Sequence, residues 1–499
     1  MHIACFNPQG NFDQHDSYWT QHPDFGGQLV YVKELAFAFD RLGHETIIFT
    51  RRIEDEDWPE FQQPEEVYAG TNVRIVRISF GGKAFLPKEQ LWPFLHEFVE
   101  GIRQWYHQAG YLPDAVTTHY GDGGISGAIF QQLTGVPYTF TAHSLGAQKL
   151  EKLMGTGVSY ETLDQQYQFT IRLAAERTAI SQAMIRFVST QQEKEQQYFH
   201  TLYRDLFSQQ KKLPFVVVPP GVNQDIFNDK PQAHDQAVTE IIQQVLRRDV
   251  AKERQHLPWV IASSRLDPKK NVTGLVKAYG EHSHLQECCN LILAVRGIDD
   301  PQADMHRLKN EEQQQLASIL NLIQTYQLAG KIGFVNLSGQ QQLAAAYRET
   351  ARRHGVFALT SLYEPFGLAT IEAMACGVPV VVTANGGGQD ILKKGNESFG
   401  LLVDPQQSDA IAEGIFSLMK DHVLWNTYHQ KGLERVRSTF TWNAAADAYV
   451  KEIQQWKKNT QEKARQINVP DYFMKHESQN KHEFESIRAR AAGIKLEQE

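Results

Sequence analysis

The chain has 499 residues, of which 41% are hydrophobic and 11% aromatic, enough apolar surface for two or three packed cores and too much for a disordered chain. Lys plus Arg number 50 against 58 Asp plus Glu, a net charge of -8, so no global positive field draws it to nucleic acid. The four cysteines show no CxxC pair, and neither a disulfide framework nor a zinc site is expected.

The amino terminus, Met1 to Phe6, lacks a basic region followed by a long apolar run, and no stretch approaches the ~18 apolar residues of a membrane span. No membrane association and a cytoplasmic location are therefore expected. In chain order, short apolar runs predict strands at Ile3 to Asn7, Glu45 to Thr50, Val73 to Ile78, Ala115 to His119, Tyr138 to His143, Ile185 to Ser189 and Phe215 to Val218. Between the first two, Leu29 to Leu42 carries Leu29, Val32, Leu35, Ala36 and Phe39 on one helical face, with Gly43 as a stop. Pro219-Pro220-Gly221 interrupts the pattern, since two prolines supply no ladder donors, and marks an interdomain hinge.

The alternation resumes with strands at Trp259 to Ser263, Leu291 to Val295, Ile332 to Val335, Val356 to Thr360, Val378 to Thr383 and Leu401 to Val403. Helical stretches follow at Lys309 to Gln327, Gln340 to Arg353, Leu368 to Ala375 and Asp409 to Lys420. The fold class is α/β, with two doubly wound domains and ligands expected at the carboxyl ends of the strands, in the cleft between the domains. The boundaries read 1–221 and 222–438, with 439–499 a final helical stretch and a charged segment. That last segment, strand-poor to Glu499, reads as a solvated helix or a frayed tail.

Three clusters carry chemistry. Asp24-Phe25-Gly26-Gly27-Gln28 precedes a helix, where free amides favour a phosphate; a plain helix-entry turn explains it equally well. Arg265 and Lys270, in a loop directly after a strand, pair a planar fork with a point charge in a way that suits a diphosphate. Glu364 and Glu372 flank a strand-to-helix turn shaped by Pro365 and Gly367, and two such carboxylates can accept hydrogen bonds from sugar hydroxyls. The acidic run Asp55-Glu56-Asp57 reads as a charged loop rather than a metal site.

The order of Gly26-Gly27-Gln28, His143-Ser144-Leu145-Gly146, Arg265 with Lys270, and Glu364 through Glu372 resembles glycosyltransferase family four, the retaining GT-B enzymes, from the first strand to about Trp442. The stretches NPQGNFDQHDSYW, HPDFGGQLVYVKEL, FLPKEQLWP, HYGDGG and HSLGAQKLEKL are similar to the branch that glucosylates fructose 6-phosphate. The resemblance implies two Rossmann-like domains, the acceptor on 1–221, the nucleotide sugar on 222–438, and within 439–499 a crossover helix returning to the first domain.

It further implies that Arg265 and Lys270 neutralise the diphosphate of UDP-glucose, that Glu372 holds the ribose, and that Glu364 contacts the transferred glucose. Phe366, Gly367 and Leu368 line the phosphates through backbone amides. Gly27 belongs with the nucleotide sugar, His143 sits against the glucosyl unit, and Gly26 and Gln28 touch both substrates. Lys88, Lys149 and Arg172 match positions that bind the acceptor's phosphate. Next to the last, Ile171 stands where members of that branch tend to carry an arginine, which leaves free fructose as the alternative acceptor. No metal or other cofactor is expected, and retention follows either from front-face attack or from a carboxylate nucleophile. The alternative outside enzymology is a nucleotide-sugar sensor.

Overall fold

The computed structural model describes residues 1–19, 22, 24–207, 213–459, 467–474 and 481–494. They form two compact units, one of Met1–Pro219 with Trp442–Glu499, the other of Pro220–Thr441.

In the first unit, eight strands make one sheet: β1 (His2–Phe6), β2 (Glu45–Arg51), β3 (Glu65–Val67), β4 (Arg74–Ile78), β5 (Ala115–His119), β6 (Tyr138–Thr141), β7 (Ile185–Val188) and β8 (Phe215–Val217). Their order is β3-β4-β2-β1-β5-β6-β7-β8. All neighbours are parallel except β3, which runs antiparallel to β4 at the edge. The central strands β5 and β6 are buried on both faces, threonines and His119 included, as a position beneath two helical layers requires. The helices used below are α1 (Gly27–Arg41), α2 (Leu95–Ala109), α3 (Tyr120–Thr134), α4 (Gly146–Met154), α5 (Tyr160–Tyr167) and α6 (Phe169–Gln182).

Helix α3 lies unusually close to the sheet. A Cβ at Gly123 would stand 2.8 Å from the Phe6 carbonyl oxygen, and one at Gly127 would stand 2.6 Å from Cγ2 of Thr118. Only glycine permits that approach, and it sets the start of α3 directly beyond the carboxyl end of β5.

The helix Trp442–Asn459 packs on this unit. Tyr449 stacks on Phe187 with ring centroids 3.6 Å apart, and its hydroxyl bonds those of Tyr31 at 3.1 Å and Thr141 at 2.7 Å. The expectation of a solvated or frayed tail needs correction for the residues described beyond it. Val469, Tyr472, Phe473, Phe484 and Ala491 are buried in the first unit's main core. They sit among charged neighbours in sequence, so hydrophobic density alone concealed them.

The second unit holds a six-stranded parallel sheet of β9 (Trp259–Ser263), β10 (Asn290–Ala294), β11 (Ile332–Val335), β12 (Val356–Leu359), β13 (Val380–Thr383) and β16 (Leu401–Val403), in the order β11-β10-β9-β12-β13-β16. A small antiparallel hairpin, β14 (Lys393–Lys394) with β15 (Glu397–Ser398), stands apart. Apolar clusters cover both faces of the main sheet, one built around Trp259, Tyr347 and Ile371, the other around Tyr279, Leu291 and Trp425. No helix among the described residues is long and apolar enough to cross a membrane.

Candidate active site

In the second unit the predicted residues gather at the carboxyl ends of β9 and β12. Asn271, at φ 50°, donates from Nδ2 to the carbonyls of Thr360 and Pro405 at 3.0 and 2.9 Å, and the Leu362 amide donates to the Lys269 carbonyl at 2.8 Å. These bonds tie the loop after β9 to the loop after β12. They bring Nζ of Lys270 to 2.6 Å from Oε2 of Glu364, an oxygen that also accepts from the Ser361 hydroxyl at 3.0 Å. Arg265, in the same loop after β9, is exposed.

The Glu364 backbone is clamped in turn. Its amide donates to the Asn385 carbonyl at 3.0 Å, and its carbonyl accepts from Gly387 at 2.9 Å. Phe366 is buried in the core, and Gly367, at φ 98°, turns the chain into the helix Leu368–Ala375, which no side chain among the described residues caps. Amides at an uncapped helix start lack intrahelical acceptors and suit an anion. Glu372 is half-buried on that helix, and burial pushes its carboxyl up to about 7. Close by, the Tyr347 and Ser263 hydroxyls bond each other at 2.5 Å.

In the first unit, Lys88, Lys149 and Arg172 line one cavity with Gln9, Glu89, Trp92, Tyr120, Gly121, Asp122 and Tyr167. Lys88 pairs with Asp24, and Glu89 stands 3.8 Å away. Burial alone would lower the Lys88 ammonium, but the hydrogen bond and charge of Asp24 outweigh it and hold the group above its usual value. Lys149 lies 4.4 Å over the Tyr167 ring. Arg172 donates to Glu176 and to the Ser144 carbonyl, both at 2.8 Å, and the charge of Glu176 raises it despite burial. Ile171 points into the apolar core and is 4% exposed, so the position beside Arg172 adds no cation to the cavity.

Gly26 and Gly27 open α1. Neither has a positive φ, and a Cβ on either would meet no atom of the described residues within 4 Å. Packing against the described residues therefore does not demand glycine there. Gln28 is buried, and its Nε2 has no hydrogen-bond partner among the described residues. His143, at φ 57° beyond β6, places Nε2 2.9 Å from Nδ1 of His119. One ring must donate and the other accept, so their tautomers are linked. Burial pushes His143 down to about 3 and also lowers His119, leaving both imidazoles neutral near pH 7. Asp55, set aside above as a metal ligand, accepts from the amides of Asp57 and Phe85 at 3.1 and 3.2 Å.

Residues 26–205 match the family described as glycosyl transferase 4-like domain, and residues 246–435 match glycosyl transferases group 1. A probable sucrose-phosphate synthase of Thermosipho melanesiensis is 42% identical over 95% of this chain and 99% of its own length. The chain belongs to the sucrose-phosphate synthase family. The sucrose-phosphate synthase of Zea mays is 33% identical over 86% of the chain, which spans about 45% of that longer protein. Among solved structures, sucrose-phosphate synthase from Thermosynechococcus elongatus matches with a TM-score of 0.65 and 27% identity, over 92% of this chain and 100% of that one. As a sucrose-phosphate synthase relative, the protein is a glycosyltransferase with the GT-B fold.

Sequence reasoning passed over Gln9, Glu89, Trp92, Tyr120, Asp122 and Tyr167 as cavity residues. The signal was present for most of them. Gln9, Glu89 with Trp92, and Tyr120 with Asp122 fall inside stretches that resemble the family, NPQGN, FLPKEQLWP and HYGDGG, to which only Lys88 had been given a role.

Proposed function

We propose that this chain transfers the glucosyl unit of UDP-glucose to fructose 6-phosphate, releasing UDP and sucrose 6-phosphate with anomeric configuration retained. The observation that carries this reading is the first unit's cavity, where Lys88, Lys149 and Arg172 converge in a chain 42% identical to a probable sucrose-phosphate synthase along that protein's whole length. A sugar phosphate is close to a dianion at neutral pH, and convergent cations are what its recognition requires.

Breaking the anomeric C–O bond leaves negative charge on the diphosphate and positive character on the sugar. Arg265 and Lys270 neutralise the departing charge, helped by the amides that start the helix Leu368–Ala375, and the reading assigns no metal ion to this step. Glu372 accepts hydrogen bonds from the ribose, while Glu364, oriented by Lys270 and Ser361, contacts the transferred glucose. His143 is neutral and serves as a hydrogen-bonding partner to the glucosyl unit rather than as a charge. Gly26, Gly27 and Gln28 offer close backbone approach and an unsatisfied amide to the ligands. In the front-face route, the acceptor hydroxyl bonds to the anomeric carbon as its proton passes to the departing phosphate oxygen.

An acceptor panel with UDP-, ADP- and GDP-sugars, read by nucleotide release and product mass, tests the proposal. UDP-glucose with fructose 6-phosphate should give the fastest release and a phosphorylated disaccharide. Equal rates with free fructose would overturn the phosphate-site reading. Tight UDP-glucose binding without nucleotide release for any acceptor would favour a sensor.

A further inference from the structure

Asp122 is the third residue of α3, lines the same cavity as Lys88, Lys149 and Arg172, and is 4% exposed. Its Oδ2 is buried and makes no hydrogen bond among the described residues. A buried carboxyl oxygen left unmatched costs stability and persists where a function uses it. The charges around it sharpen the question. Facing the cavity or its cations are Lys88 with Asp24 and Glu89, Lys149 of α4, Tyr167 of α5, Arg172 with Glu176 of α6, and Tyr120 on α3 itself. Three cations already stand against the carboxylates of Asp24, Glu89 and Glu176. An ionised Asp122 would bring these charges to four carboxylates against three cations before any phosphate entered the cavity, and burial of a carboxylate with an unmatched oxygen disfavours the charged form.

We propose that Asp122 is a specificity-determining residue for the phosphorylated acceptor, held as a neutral carboxylic acid that donates a hydrogen bond from Oδ2 to the phosphate. This rests on the reading of the cavity as a sugar-phosphate site. The electrostatics agree: burial pushes the Asp122 carboxyl up to about 7, against the opposing pull of nearby backbone amides, Arg172 and Lys88. Binding a dianion favours the protonated acid further. The sign follows, because affinity for the phosphorylated acceptor is then lost as pH rises and the acid must be reprotonated to bind. Lys88, Arg172 and Tyr120 are all held above their ordinary values, and His143 and His119 well below theirs. None of these five changes charge between pH 7 and 8.5, where a sugar phosphate, with a second ionisation near 6, is already a dianion.

The test is calorimetric titration of the full chain with fructose 6-phosphate, and separately with inorganic phosphate, from pH 7 to 8.5. In the wild type the dissociation constant should climb by up to about tenfold per pH unit above pH 7.5, the slope of one proton taken up on binding. Asp122→Asn keeps a donor but cannot ionise; its profile should be flat and its binding tighter than wild type at pH 8.5. Parallel profiles for the two proteins would overturn the proposal. So would a flat or rising wild-type affinity with pH, a result that needs no variant, or failure of both phosphate ligands to bind. Turnover is read separately. Binding of fructose 6-phosphate with the expected pH slope but no UDP release would count against the transfer reading and leave the role of Asp122 standing.

Discussion

Nζ of Lys270 and Oε2 of Glu364 stand 2.6 Å apart at the carboxyl ends of β9 and β12, so the cation assigned to the departing diphosphate also orients the carboxylate assigned to the glucose. Lys270→Ala should therefore remove charge stabilisation and release Glu364 together. The expected result is a fall in kcat/KM for UDP-glucose of about 100-fold or more, comparable to deleting a preorganised oxyanion donor. Steady-state UDP release, with an unchanged circular-dichroism spectrum, checks it.

Lys149→Ala should act differently. Its ammonium lies over Tyr167 in the first unit's cavity, among the groups assigned to the acceptor phosphate rather than to the departing diphosphate. KM for fructose 6-phosphate should rise by roughly 10- to 100-fold, the worth of one charge-assisted hydrogen bond, while kcat changes little. An equal loss of free-fructose and fructose 6-phosphate use would sink the assignment.

Glu372 supplies a pH dependence of opposite sign to that of Asp122. Its carboxyl is raised by burial from an ordinary 4.5 to about 7, and its proposed partner, a ribose hydroxyl, needs the ionised form as acceptor. UDP-glucose affinity should strengthen as pH rises through 7 and level off above it, and Glu372→Gln should flatten that profile at weaker binding. The same shift acts on folding. A carboxyl whose folded value is raised contributes stability that is present below about 4.5 and lost as pH rises through about 7. Glu372→Gln should thus raise Tm relative to wild type at pH 8 and leave it nearly unchanged at pH 4.5.

Two glycines should separate stability from function. A Cβ at Gly386, whose φ is 110°, would fall 1.9 Å from the Glu364 carbonyl oxygen. Gly386→Ala should cost at least about 1–3 kcal/mol and displace the Glu364 loop. Gly26→Ala meets no atom of the described residues within 4 Å and should leave Tm unchanged while impairing transfer. Differential scanning calorimetry and UDP release on the two variants distinguish these outcomes.

Phe473→Ala reports on the carboxyl-terminal segment. Phe473 is 1% exposed within the first unit's core, so truncation should destabilise by about 3–5 kcal/mol, seen in the unfolding transition. A solvated residue would cost almost nothing.

Local periodicity was enough to place most strands of the two main sheets. The strands Ala115–His119, Trp259–Ser263, Ile332–Val335 and Leu401–Val403 and the helix Leu368–Ala375 have the bounds read from sequence, because alternation of apolar runs with amphipathic stretches is decided within a few residues. Edge strand β3 escaped that reading: Glu65-Glu66-Val67 is too short and too charged to register as a strand, and it pairs only because β4 offers an open edge. Motif order likewise singled out Lys270 and Glu364, which the structure pairs, and Lys88, Lys149 and Arg172, which line one cavity.

Tertiary structure alone decided what those residues are to one another. Whether Lys270 meets Glu364, whether Asp122 is sealed beside three cations, and whether Phe473 is core or tail all depend on contacts between segments far apart in the chain. Burial and electrostatic environment are properties of such contacts; a side chain's type sets which charge it can carry, and its neighbours in space set whether it carries it.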